Sequence, residues 1–100
     1  MLRYGCLEIR GLSLQKSFTI INRLGLHARA AAQLVQTANR FTSEVLVEKD
    51  DIEVNGKSIM GILLLAAPKG TEIALTVTGS DESEAMAALT NLIEDGFGED

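Results

Sequence analysis

Apolar positions along the chain change period several times, and each change marks a boundary between elements. From Lys16 to Ile21 the run Lys-Ser-Phe-Thr-Ile-Ile is rich in β-branched and aromatic residues, and the Asn22 to Gly25 cluster stops it. That pattern predicts a first strand. From Ala28 to Phe41 the apolar residues Ala31, Leu34, Val35 and Ala38 fall at i, i+3, i+4 and i+7, which places them on one face of a helix. Repeated alanines add helix propensity there. Val45 and Val47 then alternate with Glu44, Leu46 and Glu48, and beyond an Asp50-Asp51 turn Ile52 and Val54 alternate with Glu53, so a hairpin is expected.

Asn55-Gly56 ends the hairpin, and Ser58 is placed to N-cap a helix from Ile59 to about Ala66 that Pro68 and Gly70 terminate. Ile73, Leu75 and Val77 alternate with Ala74, Thr76 and Thr78, a strand with one face to the core and one to water. Asp81 and Glu84 have capping-box spacing ahead of Ala85, Ala88, Leu89, Leu92 and Ile93, with Gly96 just past the end. The order β-α-β-β-α-β-α supplies three amphipathic helices for one face of a four-stranded antiparallel sheet, an α+β open-faced β-sandwich. Residues 1–14 have no clear period and are broken by Gly5 and Gly11, so they read as an irregular N-terminal extension to a single domain over 15–100.

Composition narrows the function classes. One hundred residues bury one core. Hydrophobic residues make up 46% of them, which fits a folded domain rather than a disordered tail. The net charge is -5 with no basic cluster, so the electrostatic drive for nucleic-acid binding is missing. With one cysteine, Cys6, and one histidine, neither an internal disulfide nor an ordinary zinc site is expected, and a reducing compartment suits the thiol. No run approaches the roughly twenty apolar residues of a membrane span, and Glu8 and Arg10 interrupt any secretion signal near the start. A cytoplasmic protein without cofactor, metal or membrane insertion is the expectation.

The candidate chemistry sits at the first strand-to-helix junction, Asn22-Arg23-Leu24-Gly25-Leu26-His27-Ala28-Arg29-Ala30-Ala31. Free amides and the positive end of the helix dipole meet there, which favours an anion by roughly 0.3 to 1 kcal/mol. Arg29 in the first turn adds charge-assisted hydrogen bonds worth about 1.5 to 3 kcal/mol, the larger single contribution. An imidazole at neutral pH keeps a nucleophilic lone pair without a separate base, so His27 can attack phosphorus directly. Gly25 lets the backbone approach a bulky donor group, which makes Gly25, Ala28 and Arg29 the candidate phosphate-binding set. From composition alone, a helix-start histidine satisfied by a neighbouring carbonyl accounts equally well for His27.

Leu24-Gly25-Leu26-His27-Ala28-Arg29 followed by an alanine-rich helix resembles the active-site signature of the HPr family, the histidine-containing phosphocarriers of the phosphoenolpyruvate-dependent phosphotransferase system. Ala38 to Ser43, Asn55-Gly56-Lys57-Ser58-Ile59-Met60-Gly61, Lys69-Gly70 and the acidic start of the last helix are similar to that family in the same order, over about Gln15 to Glu99. The resemblance implies that His27 is phosphorylated on Nδ1 by enzyme I and that Arg29 neutralises the phosphate. Acceptors would be sugar- or nitrogen-type EIIA proteins, in a relay where the chain is a monomeric protein substrate rather than an enzyme. Ala30 departs from the pattern, standing where the family usually has a proline that pre-sets the first turn.

The resemblance also implies that Ser58 is the serine phosphorylated by an HPr kinase/phosphorylase. A favoured N-cap serine needs no such explanation. From Ile59 to Leu65 the helix is apolar nearly all round. Ile62 and Leu65 can face the core, which leaves Ile59, Met60 and Leu63 pointing elsewhere. The resemblance makes these three, with Ala28 and Ala32, a docking patch for partner proteins. A carrier of the nitrogen-related branch, a non-covalent small-ligand sensing module and a relative regulated through Ser58 alone are the competing functional readings.

Overall fold

Alternation along three strands sets the two faces of the sheet. In a computed structural model that describes residues 13–98, β1 (Ser13–Thr19), β2 (Glu44–Lys49), β3 (Ile52–Asn55) and β4 (Glu72–Thr78) form an antiparallel sheet in the order β1-β4-β2-β3. Register pairs Leu14 with Val77 and Phe18 with Ile73 across β1 and β4. It pairs Val45 with Val77 and Val47 with Leu75 across β2 and β4. Partners in register share a face, so these apolar residues form one layer. On the other face lie Ser13, Gln15, Thr76 and Thr78, where Ser13 Oγ meets Thr78 Oγ1 at 2.7 Å and Gln15 Nε2 donates to Thr76 Oγ1 at 3.2 Å.

Three helices cover the apolar face, α1 (Ala28–Ala38), α2 (Ile59–Leu65) and α3 (Glu82–Glu94), followed by a 3₁₀ turn at Gly96–Gly98. Helix α1 packs between the other two, α3 lies against β1 and β4, and α2 against β2 and β3. The chain is therefore the expected β-α-β-β-α-β-α open-faced sandwich. Ala31, Leu34, Val35 and Ala38 are buried, as are Ile62 and Leu65 of α2 and Ala85, Leu89 and Ile93 of α3. A feature not anticipated is Phe97, 2% exposed although its φ is 58°. A left-handed non-glycine residue costs about 1–3 kcal/mol, which burial of a phenyl side chain, worth roughly 1.5–3 kcal/mol, offsets.

Three features differ from the sequence expectation. Strand β1 begins at Ser13, three residues before Lys16, because its register with β4 runs from Ser13↔Thr78 to Thr19↔Glu72. Ser13 and Leu14 thus belong to the sheet, whereas residues 1–12 of the expected extension, Cys6 included, lie outside the described residues. Helix α1 stops at Ala38 rather than Phe41. The Asn39 side chain donates to Val35 O at 3.0 Å, and Arg40 and Phe41 make only three-residue turn bonds. The expected capping box on α3 does not form. Asp81 makes no side-chain cap bond to its own helix, and its carboxylate accepts instead from Thr42 N, Ser43 N and Ser43 Oγ.

Candidate functional site

The loop before α1 is shaped by one buried asparagine and one glycine. Asn22 Nδ2 donates to Gly25 O at 2.7 Å, and Gly25 N donates to Asn22 O at 3.1 Å, closing the turn from both sides. Gly25 sits at φ 68°, and a Cβ there would lie 2.5 Å from Ala67 O and 2.8 Å from Pro68 Cα. Both the left-handed backbone and the close approach demand glycine. One residue on, Leu26 is buried and its N–H donates to Ala67 O at 2.9 Å, which fastens the loop to the segment leaving α2.

His27 follows as the N-cap of α1, with extended backbone at φ -80° and ψ 179°. Its carbonyl accepts the first helical bond, from Ala31 N at 2.8 Å, and its own N–H donates to Gly25 O at 2.9 Å. The ring is half-buried and lies outside the apolar core. Nδ1 accepts the Arg29 N–H at 3.3 Å. An acceptor nitrogen carries no proton, so this contact assigns the neutral ring's proton to Nε2. The Nδ1 lone pair therefore points at the first turn of α1, where free amides and the helix dipole favour negative charge. Ala28 and Arg29 are exposed beside it.

Ser58 caps α2 as the sequence predicts, its Oγ accepting Gly61 N at 3.1 Å and its carbonyl accepting Ile62 N at 3.0 Å. The preceding turn is set by Asn55 Oδ1, which accepts Lys57 N at 2.8 Å, while Lys57 Nζ donates to Phe41 O at 2.8 Å. Ser58 and the His27 loop occupy opposite ends of α2, separated by about 10 Å of helix at 1.5 Å per residue. Between them Ile59, Met60 and Leu63 are exposed, with Ala28 exposed and Ala32 half-buried on the adjacent α1. Leu64 is missing from the sequence expectation, yet it is 71% exposed, as Met60 is. Its i+4 spacing from Met60 was the available signal. Leu24, on the His27 loop itself, is exposed as well.

A separate shallow hollow on the open face of the sheet is lined by Ser17, Glu48, Asp50, Glu72, Ile73 and Ala74. It contains none of the candidate site residues, and its three carboxylates oppose a phosphate-bearing ligand. Among the described residues no group of three or more His, Cys, Asp or Glu side chains is placed to hold a metal, and no helix is long and apolar enough to cross a membrane.

Residues 14–95 match the family model described as the PTS HPr component phosphorylation site. The chain belongs to the HPr family. Among its relatives, the phosphocarrier protein HPr of Neisseria meningitidis is 60% identical over 86 residues, covering 86% of this chain and 97% of that one. The crystal structure of HPr-C-His from Thermoanaerobacter tengcongensis superposes with a TM-score of 0.84 at 49% identity, covering 87% of this chain and 98% of that one. The Bacillus subtilis protein Crh, described as a swapped-domain dimer, is 46% identical with a TM-score of 0.68, covering 83% and 95%. The chain is thus a phosphocarrier of the phosphotransferase system rather than an enzyme, and membership of the HPr family implies interaction with the enzymes of that system.

Proposed function

We propose that His27 is the residue that carries the phosphoryl group, on Nδ1. The observation that supports this most directly is the Arg29 N–H donated to that nitrogen, which leaves the proton on Nε2 and directs the Nδ1 lone pair at the start of α1. In the forward step the lone pair forms an N–P bond while the P–N bond to a phosphohistidine of enzyme I breaks, its electron pair returning to the donor imidazole. No proton has to move, because Nε2 keeps its own. The Arg29 amide, displaced from Nδ1, then bonds a phosphoryl oxygen, with the Ala28 amide and the Arg29 guanidinium on the same side. Gly25 serves by letting the loop lie against Ala67 and Pro68.

The acceptor in this proposal is a sugar- or nitrogen-type EIIA protein that docks on Ala28, Ala32, Ile59, Met60 and Leu63, together with Leu64. Ser58 is the proposed regulatory site for an HPr kinase/phosphorylase, with its phosphate adding about two negative charges at the far end of that surface. The phosphocarrier domain begins with β1 at Ser13, and acts as a cytoplasmic monomer without cofactor.

Incubation with phosphoenolpyruvate and enzyme I should place an acid-labile, base-stable phosphate on the parent and none on His27→Ala. Label on the His27→Ala protein, or no label on the parent under conditions that charge a known carrier, would remove the assignment. Comparing how fast sugar-type and nitrogen-type acceptors discharge the labelled protein assigns the branch.

A further inference from the structure

Helix α2 ends in three consecutive carbonyls that are gripped from two directions. It has no basic residue in its last turn, and its C-cap, Ala66, is left-handed at φ 49° and ψ 50°, a region that alanine disfavours. The missing charge comes from another element. Lys49, the last residue of β2, donates from Nζ to Leu65 O at 3.0 Å and to Ala66 O at 3.3 Å. Among the described residues the one ion pair joins Lys16 to Glu94, so the Lys49 ammonium is committed to these carbonyls. The next carbonyl, that of Ala67, accepts Leu26 N–H one residue ahead of His27, and also sits under Gly25 where a Cβ would collide.

We propose that Lys49 is a positioning residue for phosphoryl transfer: by holding the Leu65 and Ala66 carbonyls it keeps the left-handed turn in the one conformation that presents the Ala67 carbonyl to Leu26, and so sets His27 Nδ1 over the first turn of α1. This rests on the assignment of His27 as the phosphoryl carrier. Lys49 lies outside the docking patch, so its loss acts on geometry rather than on partner binding. Without the ammonium, the backbone at Ala66 is free to relax out of the left-handed region and carry Ala67 with it. A reacting atom displaced by as little as an ångström reacts markedly more slowly even when binding is unchanged.

The test compares the full-length parent with Lys49→Met, which keeps the aliphatic stem without the donors, and Lys49→Arg, which keeps charge and donors. Three quantities are read: transfer kinetics from phosphorylated enzyme I, exchange of the Leu26 amide, and the urea midpoint. Lys49→Met should lower kcat about tenfold with KM unchanged, equivalent to about 1.4 kcal/mol of barrier. It should also speed Leu26 amide exchange beyond the change in global stability, and Lys49→Arg should restore both. Unchanged kcat in Lys49→Met overturns the proposal. So does a lower urea midpoint with Leu26 exchange shifted only by the same amount, or failure of Lys49→Arg to recover the rate while it recovers stability. A parent protein that takes no label on His27 sinks the phosphocarrier assignment instead, and the amide exchange still reports whether Lys49 holds the loop.

Discussion

The Asp81 carboxylate accepts the Ser43 backbone N–H at 3.0 Å and the Ser43 hydroxyl as well, so the residue that precedes α3 secures the start of β2. The neighbouring Thr42 N–H adds a third bond at 2.9 Å. The Ser43 hydroxyl, then the Thr42 amide, hold the Asp81 carboxyl at about 2, below its ordinary 3.8. A carboxylate with a depressed folded-state value stabilises the protein above its unfolded value and loses that stabilisation as it protonates. The parent should therefore lose thermal stability as pH falls from about 4 to about 2. Asp81→Asn should be less stable at neutral pH and show a shallower decline over that interval. Parallel melting curves for the two proteins across it would contradict the assignment.

Gly25→Ala forces a side chain into the left-handed region and against Ala67 O and Pro68 Cα. Strain of about 1–3 kcal/mol is expected from the backbone alone. The loop should lift off Ala67, so His27 labelling slows by more than the unfolded fraction accounts for. Urea unfolding measured beside labelling kinetics separates the two effects.

Arg29→Ala removes an exposed side chain to which the proposed transfer step gives the phosphoryl oxygens. Transfer should slow by roughly tenfold or more, the loss of a charge-assisted bond of about 1.5–3 kcal/mol, while the melting temperature stays within error. Equal transfer rates for variant and parent would dismiss the role given to the guanidinium.

Ser58→Ala deletes the bond that Gly61 N–H makes to the N-cap, at a cost of about 0.5–2 kcal/mol. Ser58→Asp keeps a capping oxygen and should hold most of that stability, yet slow uptake from enzyme I by placing a charge at the edge of the proposed docking surface. A chemical denaturation series with transfer assays distinguishes the capping role from the regulatory one.

Met60 and Ile62 lie two positions apart on α2, one 71% exposed and the other fully buried. Met60→Glu should weaken binding to enzyme I by roughly tenfold, about 1.4 kcal/mol, without altering the melt. Ile62→Ala should cost about 2–5 kcal/mol of stability through a core cavity. Calorimetric titration and thermal unfolding of both variants check the contrast; a Met60→Glu protein that binds like the parent removes α2 from the docking surface.

What the amino-acid order determined by itself is everything carried by short-range periodicity and capping. The alternation of Ile73, Leu75 and Val77, the i, i+3, i+4 stripe of α1, and the N-cap positions of His27 and Ser58 all involve atoms within a few residues, so their geometry follows from local backbone preference. The Asn22 to Gly25 cluster was legible as the end of the first strand, and only the folded chain shows the buried Asn22 bond to Gly25 O. Tertiary structure alone decided which distant groups meet. The placement of β4 between β1 and β2 brings the elements into one sheet. In the folded chain the Asp81 carboxylate meets Ser43 across thirty-eight residues of chain, Lys49 meets the end of α2, and the Ala67 carbonyl lies under Leu26. Such partners are chosen by how sheet and helices stack. A carboxylate, an ammonium or a carbonyl carries no periodic signal of whom it will bind.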